Sequence, residues 1–254
     1  MLRLKAPWEI DRMRSSGRRL AEVVVLLREA IQPGMKSREL DRLGEAAIRE
    51  RGGVPSFLGY RGGGSRPFPG SLCISVNHEV VHGIPDERLF LDGDVVSIDL
   101  GMHLDGYHAD TAFTVALGAV GPKVADLLDA TRESLYMAIA QAVPGNRTGD
   151  IGCAVESHVD SRGYSVIRDY VGHGIGKNLH EEPAVPNHGR SGTGVFLETG
   201  LCIAIEPMVS MGSHRTKVER NGWTVVTRDG STTAHFEHTI AITENGPEIL
   251  TKLP

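Results

Sequence analysis

The sequence predicts an α+β fold in which a curved antiparallel sheet is backed by pairs of helices. Three observations lead to this prediction: each half begins with two amphipathic helical patterns, apolar strand patterns follow each pair, and the two pairs share one spacing. With 254 residues, the chain is long enough to bury one large core. We therefore expect a single domain over residues 1–254, built from related halves of about residues 1–120 and 121–254.

The first predicted helix pair lies at the start of the chain. From Pro7, a favoured first helical residue, apolar residues recur every three or four positions as far as Ile31. Pro33 and Gly34 end this pattern. Ser37 is the expected N-cap of a second helix, which a pair of glycines terminates. Each of the two helices is therefore predicted to bury one apolar stripe.

The same design returns in the second half of the chain. A helix is expected over about residues 124–143, and a further helix begins with an N-cap at Thr148. Pro144 lies 111 positions after Pro33, and Thr148 lies 111 positions after Ser37. This agreement indicates an internal duplication.

Composition and charge argue against several classes of protein. The net charge of -5 disfavours nucleic-acid binding by the whole surface, and no apolar run is long enough to span a membrane. The amphipathic pattern begins too early for a signal peptide. The cysteines, Cys73, Cys153 and Cys202, form no CxxC motif and are odd in number, which disfavours a disulfide framework and a thiolate zinc site. We expect a soluble protein of the reducing cytoplasm, with no membrane and no direct nucleic-acid binding.

The centre of the predicted site is a hairpin over residues 94–117. Asp105 and Gly106 favour a tight turn between two apolar, β-branched runs. With that turn, Gly101 faces Asp110, so that Asp99 and Asp110 become diagonal neighbours on one face. Such neighbours lie roughly 7–8 Å apart at Cα. One interpretation is a solvated hairpin face, and the other is a pair of carboxylates that bind a cation.

The second half supplies matching acids and a histidine. Glu206 ends an apolar strand as Asp99 does, and Glu237 lies on a further strand in the place of Asp110. An apolar core holds four such charges only if roughly two divalent ions neutralise them. His173, between two glycines, is either a turn residue or the imidazole that completes the site. This set suits Mn, Fe, Co or Zn, and two such ions that share a water are typical of a hydrolase.

These motifs resemble those of the methionine aminopeptidases, within the creatinase-like "pita-bread" family. The resemblance rests on the two aspartates of the hairpin, His173 in GHGIG, Glu206 in IEP and Glu237 in FEHT, and it covers nearly all of the chain. Within that family, the chain resembles the bacterial type I form. The resemblance implies a catalytic domain of the pita-bread fold, with two divalent metal ions (Co, Mn, Fe, Zn or Ni) bound by Asp99, Asp110, His173, Glu206 and Glu237.

The resemblance also implies an activity and further site residues. The activity is removal of the initiator methionine from nascent proteins and peptides with a small second residue, by a metal-activated hydroxide. Glu206 would be both ligand and proton shuttle, His82 would assist near the scissile amide, and His180 would stabilise the tetrahedral intermediate. The implied substrate-binding residues are Phe57, Tyr60, Phe68, Cys73, His82, His180 and Trp223.

The chain departs from the family pattern at three places. The loop over residues 61–70 is longer than is common, which affects the match of Phe68 to the pocket. Phe57 stands where some relatives have Cys. His235 stands where relatives often have Gln, and we expect it to support the ligands without binding the metal.

Two other functions fit this fold class. A binding module that has lost its metals would lack ligands, whereas all five are present here. A peptidase that acts on Xaa-Pro peptides would keep the metal but prefer proline. The expected partners are nascent polypeptide N-termini that begin with Met, ribosome contact is left open, and a monomer is expected because the duplication already supplies twofold packing.

Overall fold

The computed structural model describes residues 2–62 and 66–253. The two predicted helix pairs are present. Among the helices that the structure describes, none combines the length and the hydropathy needed to cross a membrane. The four helices are α1 (Pro7–Ala30), α2 (Ser37–Glu50), α3 (Pro122–Ala140) and α4 (Thr148–Ser161).

Strands follow each helix pair, as predicted. The strands of the first half are β1 (Val54–Pro55), β2 (Leu72–Val76), β3 (Glu79–Val81), β4 (Val95–Leu104) and β5 (Tyr107–Ala116). The strands of the second half are β6 (Ser165–Val166), β7 (Gly172–Gly174), β8 (Glu181–Val185), β9 (Cys202–Ile205), β10 (Met208–Ser210), β11 (Thr216–Val218), β12 (Val225–Thr227), β13 (Thr233–His235), β14 (Glu237–Thr243) and β15 (Gly246–Ile249).

One large antiparallel sheet joins the two halves. Its strand order is β1-β4-β5-β14-β9-β7-β8, with β2 paired to β4 and β15 paired to β14. Two three-stranded sheets, β13-β10-β6 and β11-β12-β3, accompany it. The prediction of an α+β fold with a curved antiparallel sheet and helix pairs is confirmed.

The hairpin of β4 and β5 has the predicted register. Asp105 and Gly106 both adopt positive φ, 51° and 85°, as a type I′ turn requires. Gly101 pairs with Asp110 across the two strands. A one-residue slip would have moved the carboxylates to the other face of the sheet.

The predicted caps of α2 and α4 are wrong by one residue. Ser37 and Thr148 are the first helical residues, and Lys36 and Arg147 are the N-caps. The carboxylate of Glu39 accepts a hydrogen bond from the backbone N–H of Lys36 at 3.0 Å. An acid in the first turn thus contacts the cap residue, which leaves the hydroxyls free for tertiary contacts.

The main core lies between the sheet and the helices. The stripe of α1 predicted from the sequence is buried at Leu20 and Leu27, in one cluster with Ile98 of β4 and Ile203 of β9. A second buried cluster contains Phe57, Phe68 and two of the three cysteines, all three of which are free. The second cluster forms one side of the cavity described below.

Candidate metal centre and adjoining cavity

Neighbouring strands of the large sheet each bring one predicted ligand to the same place. Asp99 lies on β4, Asp110 on β5, Glu237 on β14 and His173 on β7, while Glu206 directly follows β9. The strand order β4-β5-β14-β9-β7 therefore sets the order of the ligands. Because side chains alternate between the faces of a sheet, the register of these strands decides that all five point to one side.

The five side chains converge closely. Ligand atoms of Asp110, His173 and Glu237 lie within 4.8 Å of one another. The Nε2 atom of His173 is 3.6 Å from Oε1 of Glu206. Asp99 and Asp110 lie close enough for each to affect the pKa of the other. Residues from both halves of the chain thus form one cluster.

Burial and mutual repulsion make the four acids costly to ionise. Burial raises the pKa of Asp99 to about 7, although the neighbouring side chain of Asp110 acts in the opposite direction. Burial, with the neighbouring charges of Glu237 and Asp99, raises the pKa of Asp110 well above its usual range. The pKa values of Glu206 and Glu237 are raised for the same two reasons. A bound cation would remove this penalty.

The oxygen atoms at this site fit a divalent cation. Oδ1 of Asp99 and Oε1 of Glu237 are buried and have no hydrogen-bond partner among residues 2–62 and 66–253. A buried oxygen without a partner costs about 1–3 kcal/mol. Four carboxyl groups with one imidazole form a donor set suited to divalent transition metals. The residues present therefore fit the metal that the sequence predicts.

The hydrogen bonds of His173 also suit a metal ligand. Its Nδ1 atom lies 2.9 Å from the carbonyl oxygen of Gly174. Because a carbonyl oxygen only accepts, Nδ1 carries the proton and Nε2 presents its lone pair towards Glu206. Burial lowers the pKa of His173 to about 3, and nearby His180 adds to the effect. The ring is therefore neutral, as coordination requires.

Two threonines that the sequence analysis did not single out hold the ligand strands together. The hydroxyl of Thr239 accepts a hydrogen bond from the backbone N–H of Asp110 at 2.9 Å and donates one to its carbonyl oxygen at 2.8 Å. The hydroxyl of Thr111 donates to the carbonyl oxygen of Glu237 at 2.7 Å. Each threonine lies within two residues of a predicted ligand, and this proximity is the feature of the sequence that could have indicated its role.

His235 lies beside the acids, and its Nε2 atom has no hydrogen-bond partner among the described residues. Its Nε2 atom is 3.9 Å from Oε2 of Glu206, which is beyond hydrogen-bond distance. The side chain is buried, and burial lowers the pKa of His235 to about 3. A neutral imidazole at this distance fits the supporting role expected from the sequence.

A cavity of about 280 Å³ contains the predicted ligands and the predicted substrate-binding residues. The five ligands form its acidic end, and aromatic and apolar side chains form the other end. Leu179 and Gly62 are the two lining residues that the sequence analysis did not name. The lining residues are Phe57, Tyr60, Gly62, Phe68, Cys73, His82, Asp99, Asp110, His173, Leu179, His180, Glu206, Trp223 and Glu237.

The apolar end is held by contacts between segments distant in sequence. The rings of Phe68 and Trp223 meet edge to face with centroids 5.4 Å apart. Nε1 of Trp223 donates to the carbonyl oxygen of Arg66 at 3.1 Å. The backbone N–H of Phe68 donates to the carbonyl oxygen of Tyr60 at 2.8 Å, which closes the loop at its base. Residues 63–65 of the predicted long loop lie outside the described residues.

Two further histidines face this cavity. His82 has a positive φ of 58°, a conformation that non-glycine residues adopt rarely and that occurs often at functional sites. Burial lowers the pKa of His82 to about 4. The ring centroid of His180 lies 4.2 Å from that of His173, and Nδ1 of His180 is 2.5 Å from the hydroxyl oxygen of Tyr60. No sequence pattern predicted the contact between Tyr60 and His180.

Comparison with known proteins gives matches over the whole chain. The model of metallopeptidase family M24 matches residues 11–244. A methionine aminopeptidase of Clostridium acetobutylicum is 47% identical over 252 residues, which is 99% of each chain. Methionine aminopeptidase 1 of Bacillus subtilis is 46% identical over 253 residues, which is 100% of each chain. The crystal structure of a methionine aminopeptidase from Thermotoga maritima has a TM-score of 0.96, at 44% identity and 100% coverage of both chains.

Proposed function

We propose roles for the residues of this cavity from one premise: the chain belongs to metallopeptidase family M24. It has the pita-bread fold, and it is a metal-dependent aminopeptidase that removes N-terminal methionine. The family, fold and activity predicted from the sequence are confirmed by these similarities. The proposal concerns which residues bind the metal, which act on the substrate and which select methionine.

Asp99, Asp110, His173, Glu206 and Glu237 are proposed to hold two divalent ions. The observation that carries this proposal is the convergence of four buried carboxyl groups with raised pKa values on one neutral imidazole. Two divalent charges balance four carboxylates. Co, Mn, Fe, Zn and Ni all suit this donor set. When bound, such ions lower the pKa of a water molecule towards 7 and polarise a substrate carbonyl.

Three side chains are proposed to act on the substrate. Glu206 takes the proton that the attacking water releases and delivers it to the leaving amine, since its carboxylate lines the cavity. His180 donates a hydrogen bond to the oxygen of the scissile carbonyl, where negative charge develops. His82 assists near the scissile amide, and its ring, like that of Phe68, meets Trp223 edge to face.

The apolar end is proposed to bind the methionine side chain. Its predicted walls are aromatic except for Cys73, and a narrow apolar pocket suits an unbranched thioether. The edge-to-face contact of Phe68 with Trp223 fixes the width of this end. The proposed walls are Phe57, Tyr60, Phe68, Cys73 and Trp223.

The chain is proposed to act as one catalytic domain with halves of about residues 1–120 and 121–254. The first half supplies Asp99 and Asp110, and the second supplies the other three ligands, so one chain completes the site. A monomer is therefore sufficient. The proposed substrates are the N-termini of nascent polypeptides in the cytoplasm, with a small residue in the second position.

A peptide assay with metal control tests these proposals. Met-Ala-Ser, Met-Leu-Ser and Ala-Pro-Ser are compared before and after a chelator, and again after Mn is restored. We expect cleavage of Met-Ala-Ser only, with loss of activity in chelator and recovery with Mn. Cleavage that chelator does not affect would exclude metal dependence. Preferred cleavage of Ala-Pro-Ser would show that the enzyme is specific for Xaa-Pro peptides and not for N-terminal methionine.

A further inference from the structure

Tyr60 and His180 form a hydrogen bond within the cavity. The hydroxyl oxygen of Tyr60 lies 2.5 Å from Nδ1 of His180, although the two residues are 120 positions apart. Their ring centroids are 5.1 Å apart, with the planes tilted by 45°. Both side chains line the cavity. Tyr60 is therefore both a wall of the proposed methionine pocket and the hydrogen-bond partner of His180, which is proposed to bind the substrate.

The chemistry of the two groups limits how the proton is shared. A neutral imidazole has one N–H and one lone pair, whereas a phenol always has a proton to donate. An imidazole is mostly neutral above about pH 6.5. Among the residues that the structure describes, His180 is the one hydrogen-bond partner of the Tyr60 hydroxyl. Donation from Tyr60 to Nδ1 satisfies both the phenol proton and the imidazole lone pair. The reverse direction leaves the phenol proton without an acceptor among the described residues.

We propose that Tyr60 is a positioning residue that sets the tautomer of His180. Its O–H donates to Nδ1, so the imidazole proton resides on Nε2. Nε2–H then serves as the donor to the oxygen of the scissile carbonyl. This inference rests on the proposed function, because it explains how His180 performs the role given above.

The neighbouring His173 has the opposite arrangement. Its Nδ1 donates to the carbonyl oxygen of Gly174, a group that can only accept. The two rings lie 4.2 Å apart, yet one presents a lone pair at Nε2 and the other presents an N–H. A metal ligand needs the lone pair, and a donor to a carbonyl oxygen needs the N–H. The partner of each Nδ1 atom thus separates the two roles.

Nitrogen-15 NMR of the histidine rings tests the tautomer directly. The protein is labelled at histidine and freed of metal, and the His180 signals are assigned with His180→Gln. We expect the Nε2–H form in the native chain and a mixture of both forms in Tyr60→Phe. Tyr164→Phe, which removes a hydroxyl bonded to Asp126 outside the cavity, should leave the tautomer unchanged. An Nδ1–H form in the native chain, or the same tautomer in Tyr60→Phe, would overturn the inference.

Kinetics of the metal-loaded enzyme provide a second, independent readout. Tyr60→Phe should lower kcat for Met-Ala-Ser about tenfold and leave KM nearly unchanged, because the ring remains in the pocket while one hydrogen bond is lost. In a His180→Ala background the same substitution should have no further effect. A raised KM at constant kcat, or an additive effect, would show that Tyr60 is only a wall. If methionine peptides were not cleaved at all, the proposed function would fail while the NMR result still decided the tautomer.

Discussion

The two ends of the cavity are built in opposite ways. The acidic end takes its side chains from regular strands of the large sheet, at Asp99, Asp110 and Glu237. The apolar end takes most of its side chains from loops, among them Phe68 and Trp223. The hydrogen bonding of the strands holds the acids close together although they repel one another. The loops are held by their own apolar and aromatic contacts. The difference indicates that the acidic end needs a bound cation to relieve its charge repulsion, whereas the apolar end is stabilised by its own contacts.

Burial of side chains stabilises the fold at the apolar end and destabilises it at the acidic end. Burying an aromatic or aliphatic side chain stabilises the fold by about 1.5–3 kcal/mol. A carboxylate buried without a partner costs several kcal/mol and is tolerated when it is protonated or bound to a cation. Substitutions at the acidic end should therefore affect catalysis strongly and spare the metal-free fold. Substitutions at the apolar end should affect substrate affinity and the fold together.

The largest effect is expected at the acidic end, for Glu206→Gln. The amide keeps the shape of the side chain but cannot carry a proton, so kcat should fall by a factor on the order of 10²–10⁴. The melting temperature in chelator should not fall, since a neutral group replaces a repelled one. Glu198→Gln, a change at an exposed glutamate, is the matched control and should have native activity. Retained turnover in Glu206→Gln would exclude the proposed proton transfer.

A smaller effect on affinity is expected at the apolar end, for Phe68→Leu. The pocket loses aromatic contact area with methionine, and KM should rise about tenfold while kcat changes little. Phe90→Leu is the control, because Phe90 is equally buried in the main core and does not line the cavity. Both variants should lose similar stability, which separates pocket effects from folding effects. An equal KM in the two variants would show that Phe68 does not contribute to the binding of methionine.

The smallest effect is expected in the pH dependence of stability without metal. The folded carboxyls, with Asp99 at a pKa of about 7, retain protons that the unfolded chain releases near pH 4. A pKa raised by folding gives stability that is complete below the unfolded pKa and is lost as pH rises through the folded pKa. Buried histidines with lowered pKa values act in the opposite direction below about pH 6.5, where the unfolded chain protonates them. In chelator the melting temperature should therefore fall as pH rises above about pH 7.

Two comparisons test the origin of this pH dependence. Asp110→Asn should make the slope of melting temperature against pH shallower, because one of the repelled acids is gone. Saturation with Mn should reverse the slope, since metal binding requires ionised ligands. A slope that neither change affects would place its origin outside the cluster.

The sequence predicted the acidic end more fully than the apolar end, for physical reasons. The turn at Asp105 and Gly106 fixes the register, and the register places Asp99 and Asp110 on one face without further information. The helix caps were misplaced because Ser37 and Thr148 are cap residues by propensity, while acids in the first turn contact the preceding backbone. Propensity alone does not decide between these two arrangements.

The contact of Tyr60 with His180 could not be read from the sequence. No periodicity or motif spacing links two loop residues that far apart, and their meeting depends on how the loops pack. The same holds for Leu179, which lines the cavity beside a predicted histidine. A supporting role for His235 was expected from the sequence, but its position 3.9 Å from Glu206 was not.

Anomalous diffraction can locate the two divalent ions that residues of both halves are proposed to bind. Crystals grown with Mn are measured on both sides of the Mn absorption edge. We expect two anomalous peaks among Asp99, Asp110, His173, Glu206 and Glu237, and loss of at least one peak in Asp110→Asn. Anomalous peaks elsewhere, or none at this cluster at saturating Mn, would contradict this proposal.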